Sequence, residues 1–140
     1  MRTYNLDDIR ALNPCYDPER HLPADWTGTI PDGLRLKNIP AEDRIWVAVR
    51  LIDKKTARLF AVWCARKALA LVQNPDPRSV AACDVAERYA HGEASDKELA
   101  SARASAWDAA WNAAWDAAWD AARDAQVNKL IEMIEETEHE

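Results

Sequence analysis

Glycine is scarce in this chain, with three among 140 residues, which leaves almost no material for the loops that cradle phosphates. No P-loop, dinucleotide-binding turn, nucleophile elbow or HExxH pattern occurs. Cysteine is sparse too. Cys15, Cys64 and Cys83 are odd in number and widely spaced, which suits reduced, mostly buried thiols better than a disulfide framework or a zinc site. No run of about 18 apolar residues offers a membrane span, and Met1 to Asp8 has no apolar stretch after Arg2, so neither a membrane nor a secretory signal is expected and the cytoplasm is the expected compartment. His21, His91 and His139 share no helical face. No enzymatic activity, cofactor or metal is expected.

What is present is a folded composition, 49% apolar and 30% charged, of a size for one domain. The net charge of −6 is unevenly spread. Residues 1–43 hold 8 acids and 5 bases, residues 44–92 hold 4 and 9, and residues 93–140 hold 12 and 4. An acidic chain has no long-range attraction for a phosphate backbone, so nucleic acid is not an expected partner. The bases of the middle third stand at helical spacing rather than in a cluster, which suits pairing with acidic neighbours inside the fold.

The elements read as follows. Asn5 caps a short helix over Leu6–Leu12, with Asp8 at its third position and Asn13-Pro14 as its stop. Residues 14–40 carry five Pro and two Gly and read as an ordered loop region with at most a short strand or 3₁₀ turn, held to the body by Tyr16, Trp26, Leu34, Leu36 and Ile39. Pro40-Ala41-Glu42-Asp43 opens a helix whose face is Ile45, Val49 and Ile52. Asp53 or Thr56 caps the next, through about Gln73, with Leu59, Val62, Trp63, Leu69 and Val72 on one side. Asp76 and Pro77 start a third, with Val80, Cys83, Ala86 and Ala90 as its face and Gly92 as its stop. Ser95 and Glu98 form a capping-box pattern, and no Gly or Pro follows up to about Thr137, so one helix is expected from 96 to about 136, about 60 Å long. The expected fold is all-α: a single helical domain over 1–140, with a loop-rich wrap (1–43), a helical core (44–92) and one long Ala/Trp-rich C-terminal helix (93–140).

Within that last segment, residues 106–125 repeat the tetrapeptide Ala-Trp-Asp-Ala with small changes. A step of four residues advances about 400°, so Trp107, Trp111, Trp115 and Trp119 fan over about 120° of a helix instead of facing one partner helix. Asp108, Asn112, Asp116, Asp120 and Asp124 wind beside them. A period longer than 3.6 runs against the sense of a heptad coiled coil. Two readings of the rings stand: core against the helices of 41–91, or an interaction surface rimmed by carboxylates.

Three other side-chain groups invite chemistry. Cys64 has Arg66 nearby, which favours a thiolate, against a buried and inert thiol. His91 at a helix end reads as a dipole partner. Asp84, Glu87 and Arg88 read as surface salt bridging before metal ligation.

The blocks Leu12-Asn13-Pro14-Cys15-Tyr16-Asp17-Pro18, Asp25-Trp26-Thr27-Gly28-Thr29, Ile39-Pro40 to Trp46-Val47, Leu59 to Arg66 and Asn74-Pro75-Asp76-Pro77-Arg78-Ser79 to Gly92 resemble an alanine-rich, immunity protein-like family of small bacteriophage and bacterial proteins. The resemblance implies an all-helical fold, no established enzymatic activity and a role in neutralising a toxin or another effector protein. The expected function is therefore a noncatalytic protein-binding module, immunity-like or a phage inhibitor of a host defence factor. Its expected partner is a protein with a basic surface, met by Trp107, Trp111, Trp115 and Trp119 with Asp108, Asp116, Asp120 and Asp124. The alternative is a structural or assembly protein forming a homo-oligomer through the C-terminal helix.

Overall fold

The structure, a computed structural model, describes residues 1–71, 73–107 and 122–138. Its class is all-α: among the described residues there are seven α-helices, one 3₁₀ turn and one two-stranded ladder. The chain divides into two compact units, Met1–Asp53 with Asp124–Glu140, and Lys54–Arg123.

In the first unit, β1 (Tyr4–Asn5) leads into α1 (Leu6–Arg10). The Asn5 side chain accepts the Asp8 N–H at 3.0 Å and Asp8 accepts the Asn5 N–H at 2.9 Å, a reciprocal cap that satisfies two orphan amides. After a 3₁₀ turn (Pro18–Arg20), β2 (Thr27–Gly28) pairs antiparallel with β1, Tyr4 opposite Gly28. Gly28 is needed there, since a Cβ would meet the Trp26 ring at 2.7 Å. The expected loop region then holds a helix, α2 (Ile30–Leu34), started by a second reciprocal cap between Thr29 and Asp32. Next comes α3 (Ala41–Leu51), which buries Ile45 and Ala48. Arg44 donates from Nη1 to the Leu34 carbonyl (2.6 Å) and from Nε to the Ile39 carbonyl (2.9 Å), tying α3 to the chain before it. Leu6, Ile9, Leu22 and Ile39 form a core under Trp26, Leu36 and Val47. The last helix of this unit, α7 (Arg123–Glu138), buries Val127, Leu130 and Ile134.

The second unit contains the bundle of α4 (Lys54–Ala70), α5 (Pro77–Ala90) and α6 (Asp96–Trp107), with α4 on α5 and α5 on α6. Val62, Leu69 and Cys83 form its core, with Ala65 and Ala86 packed against them. Two expected faces shift. α4 ends at Ala70 and buries Phe60, Cys64 and Ala68 along with Val62 and Leu69, while Val80 of α5 stands 41% exposed because Ser79 and Cys83 take the inner face. The expected starts hold, with Asp76 capping α5 and Ser95 accepting the Glu98 N–H at 3.1 Å.

α5 stops as its sequence indicates. Gly92 has φ +76, its N–H bonds the Tyr89 carbonyl at 3.0 Å, and the Glu93 N–H bonds the Arg88 carbonyl at 2.7 Å, which is a Schellman close. Open space surrounds the position where a Cβ would stand, so Gly92→Ala meets only the left-handed backbone penalty. We expect a loss of about 1–2 kcal/mol in chemical denaturation. A neutral result would mean that α5 can end by another geometry.

The single helix expected from 96 to about 136 is not seen unbroken: α6 runs to Trp107, and α7 begins at Arg123 after a turn at Ala122. Residues 108–121 lie outside the described residues.

Candidate functional site

Of the residues expected to meet a partner, Asp124 is described: it is exposed in the first turn of α7. Trp107 closes α6, and its ring lies outside the described residues, as do Asp108, Trp111, Trp115, Asp116, Trp119 and Asp120. α7 gives Asp124 a firm base. Val127, Leu130 and Ile134 recur on its buried face, with Gln126 beside them, whereas Glu132, Glu136 and Glu138 are exposed. Lys129 pairs with Glu132 at 3.0 Å, Arg35 with Glu135, and the N-terminal ammonium with Glu138 at 3.9 Å.

The thiols are divided. Cys15 is exposed, whereas Cys64 and Cys83 are buried. Burial pushes the Cys64 thiol up to about 12, against a weaker opposing pull from Arg123, and burial likewise raises Cys83. Of the two readings of Cys64, the structure therefore shows the buried, inert thiol. Arg66 reaches α5 instead, donating to Asp84 Oδ1 at 2.9 Å and Glu87 Oε2 at 3.0 Å. Its guanidinium, bonded to Glu87, holds that carboxyl below its ordinary 4.5. Arg88, expected in the same cluster, pairs with Glu98 of α6 at 3.5 Å. His91 caps the C-terminus of α5, and His21 meets the Tyr16 ring edge-on at 5.9 Å between centroids.

This division predicts the labelling pattern. At pH 8, native protein should take one iodoacetamide label at Cys15, and denatured protein three. Equal labelling of Cys64 in the folded state would contradict its burial. A thiol whose folded pKa lies near 12, against an ordinary 9.0, favours folding below pH 9 and loses that contribution as pH rises through 9 towards 12.

Each unit has an apolar hollow among its described residues. The first, under Trp26, Leu34 and Ile39, has about 50 Å³ of space. An engineered cavity of about 150 Å³ takes one benzene, so this one is a packing void. The second is an open groove of about 250 Å³ over α4, α5 and α6. Arg58, Ala61, Val62 and Ala65 line it from α4, and Ser79, Ala82, Cys83, Ala86 and Tyr89 from α5; Leu99 and Arg103 belong to α6. Both lines follow the i, i+3, i+4, i+7 spacing of one helical face, a signal present in the sequence but hidden by small alanines that register weakly as apolar.

Comparison with protein-family models, with curated proteins and with solved structures returned no match. Among the described residues, no group of three or more His, Cys, Asp or Glu could hold a metal ion, and no helix is long and apolar enough to cross a membrane.

Proposed function

We propose that this protein is a noncatalytic binding protein that neutralises or inhibits an effector protein, immunity-like or a phage inhibitor of a host defence factor. The observation that carries the reading is α7. Its apolar side is anchored in the first unit while Asp124, Glu132, Glu136 and Glu138 remain exposed, in a segment whose charge is strongly acidic. A fixed acidic surface speeds encounter with a basic partner and disfavours acidic ones. The groups that invited a catalytic reading support the same view: buried protonated thiols are poor nucleophiles, and Asp84 and Glu87 are held by Arg66. Apolar contact supplies the remaining affinity in such complexes, and the Trp register is the sequence feature suited to it.

The test is affinity capture on immobilised full-length protein, with quantitative mass spectrometry. One basic protein should be enriched to a fixed stoichiometry over a bead control. Enrichment of the same chain alone would favour the assembly reading, and no enrichment would count against both.

A further inference from the structure

The groove over α4, α5 and α6 has features that packing does not use. Four polar side chains line it, Arg58, Ser79, Tyr89 and Arg103, and no carboxylate does so among the described residues. Arg58 stacks on Tyr89, with its guanidinium carbon 4.8 Å from the ring centroid, and the Tyr89 hydroxyl donates to Asp96 Oδ1 at 2.6 Å. That bond raises the Tyr89 hydroxyl above its ordinary 10.0, with Arg58 and Arg103 pulling weakly the other way, and Arg103 lines the same groove. Neither arginine has an ion-pair partner among the described residues. Ser79 is only 7% exposed and lines the groove.

The geometry points to a binding site for a small aromatic carboxylate. The ring rests on Val62, Cys83, Leu99 and the alanine walls, the carboxylate meets Arg58 and Arg103, and Ser79 bonds a polar ring atom. Size agrees, because about 250 Å³ exceeds the roughly 150 Å³ that takes a benzene and leaves room for a second fused ring. Sign agrees as well, since a guanidinium matches a carboxylate in shape and charge. This inference is independent of the protein-binding reading and concerns a different surface.

The test uses full-length protein and indole-3-acetate, followed through the ¹³C-methyl resonances of Ala61, Ala65, Ala82 and Ala86. Saturable shifts confined to these methyls are expected. Arg58→Gln and Arg103→Gln should each weaken binding by about tenfold, the loss of one charge-assisted contact. Tryptamine, with the same ring and opposite charge, should bind at least about tenfold more weakly. Ala86→Leu should fill the groove and abolish the shifts; if it fails to fold, the exposed arginine variants carry the test. No saturable shift with indole-3-acetate, equal binding of tryptamine, or wild-type affinity in both Gln variants would overturn the assignment.

Discussion

Replacing Leu130 by Ala should cost about 3–4 kcal/mol and lower the unfolding midpoint by roughly 10 °C. Leu130 is 0% exposed, at the centre of the buried face that α7 makes with Val127 and Ile134. Removing three carbons there loses their transfer free energy and leaves a hollow that the surrounding side chains close only in part. Leu130→Met is the control, because a volume-conserving change should cost under about 1.5 kcal/mol. Calorimetry measures both. A loss below about 1 kcal/mol for Leu130→Ala would mean that α7 is not packed as the structure has it, and the acidic surface it carries would lose its base.

The second large effect is expected at Arg44. Its Nη1 and Nε satisfy the carbonyls of Leu34, at the end of α2, and of Ile39, just before α3. Arg44→Met keeps the apolar stem but strands both carbonyls, at a cost of about 2–4 kcal/mol. Arg44→Lys should recover only part of this, since one ammonium on a flexible stem cannot reproduce the two-pronged fork. Urea denaturation of the three proteins gives the order wild type, Lys, Met. Equal stability of Lys and wild type would make charge, rather than the fork, the relevant property.

The sequence revealed what is local. Asn5, Asp76 and Ser95 are caps whose partners stand two or three residues away, and all three start the helices expected of them. Gly92 ends α5 for the same reason. The same local rule was present at Thr29 and Asp32 but was hidden by Asp32-Gly33, which resembles a turn and instead falls inside α2. Faces were less legible. Val80 fits an apolar pattern yet is exposed, and Cys64 sits on the buried side of α4 beside the half-buried Trp63, because small residues close to a neighbouring backbone decide that packing.

Contacts between distant residues were not legible. Arg66 finds Glu87 across 21 positions and Arg35 finds Glu135 across 100, and no periodicity records either pair. The grouping of Asp124–Glu140 with Met1–Asp53 is of the same kind. In the groove, Arg58, Ser79, Tyr89 and Arg103 come from three helices, so their common purpose emerges only when the helices are assembled.

The central claim is that the acidic last third binds a basic protein partner, and salt-dependent affinity tests it most directly. The captured partner is titrated with wild type and with a variant carrying Asp108→Asn, Asp116→Asn, Asp120→Asn and Asp124→Asn, at low and high salt, after circular dichroism has shown equal helicity. Exposed charge pairs contribute about 0.2–1 kcal/mol each, so the variant should bind roughly tenfold to a hundredfold more weakly at low salt, with the gap closing as salt screens the charges. Equal affinity of the two proteins at low salt would contradict the claim.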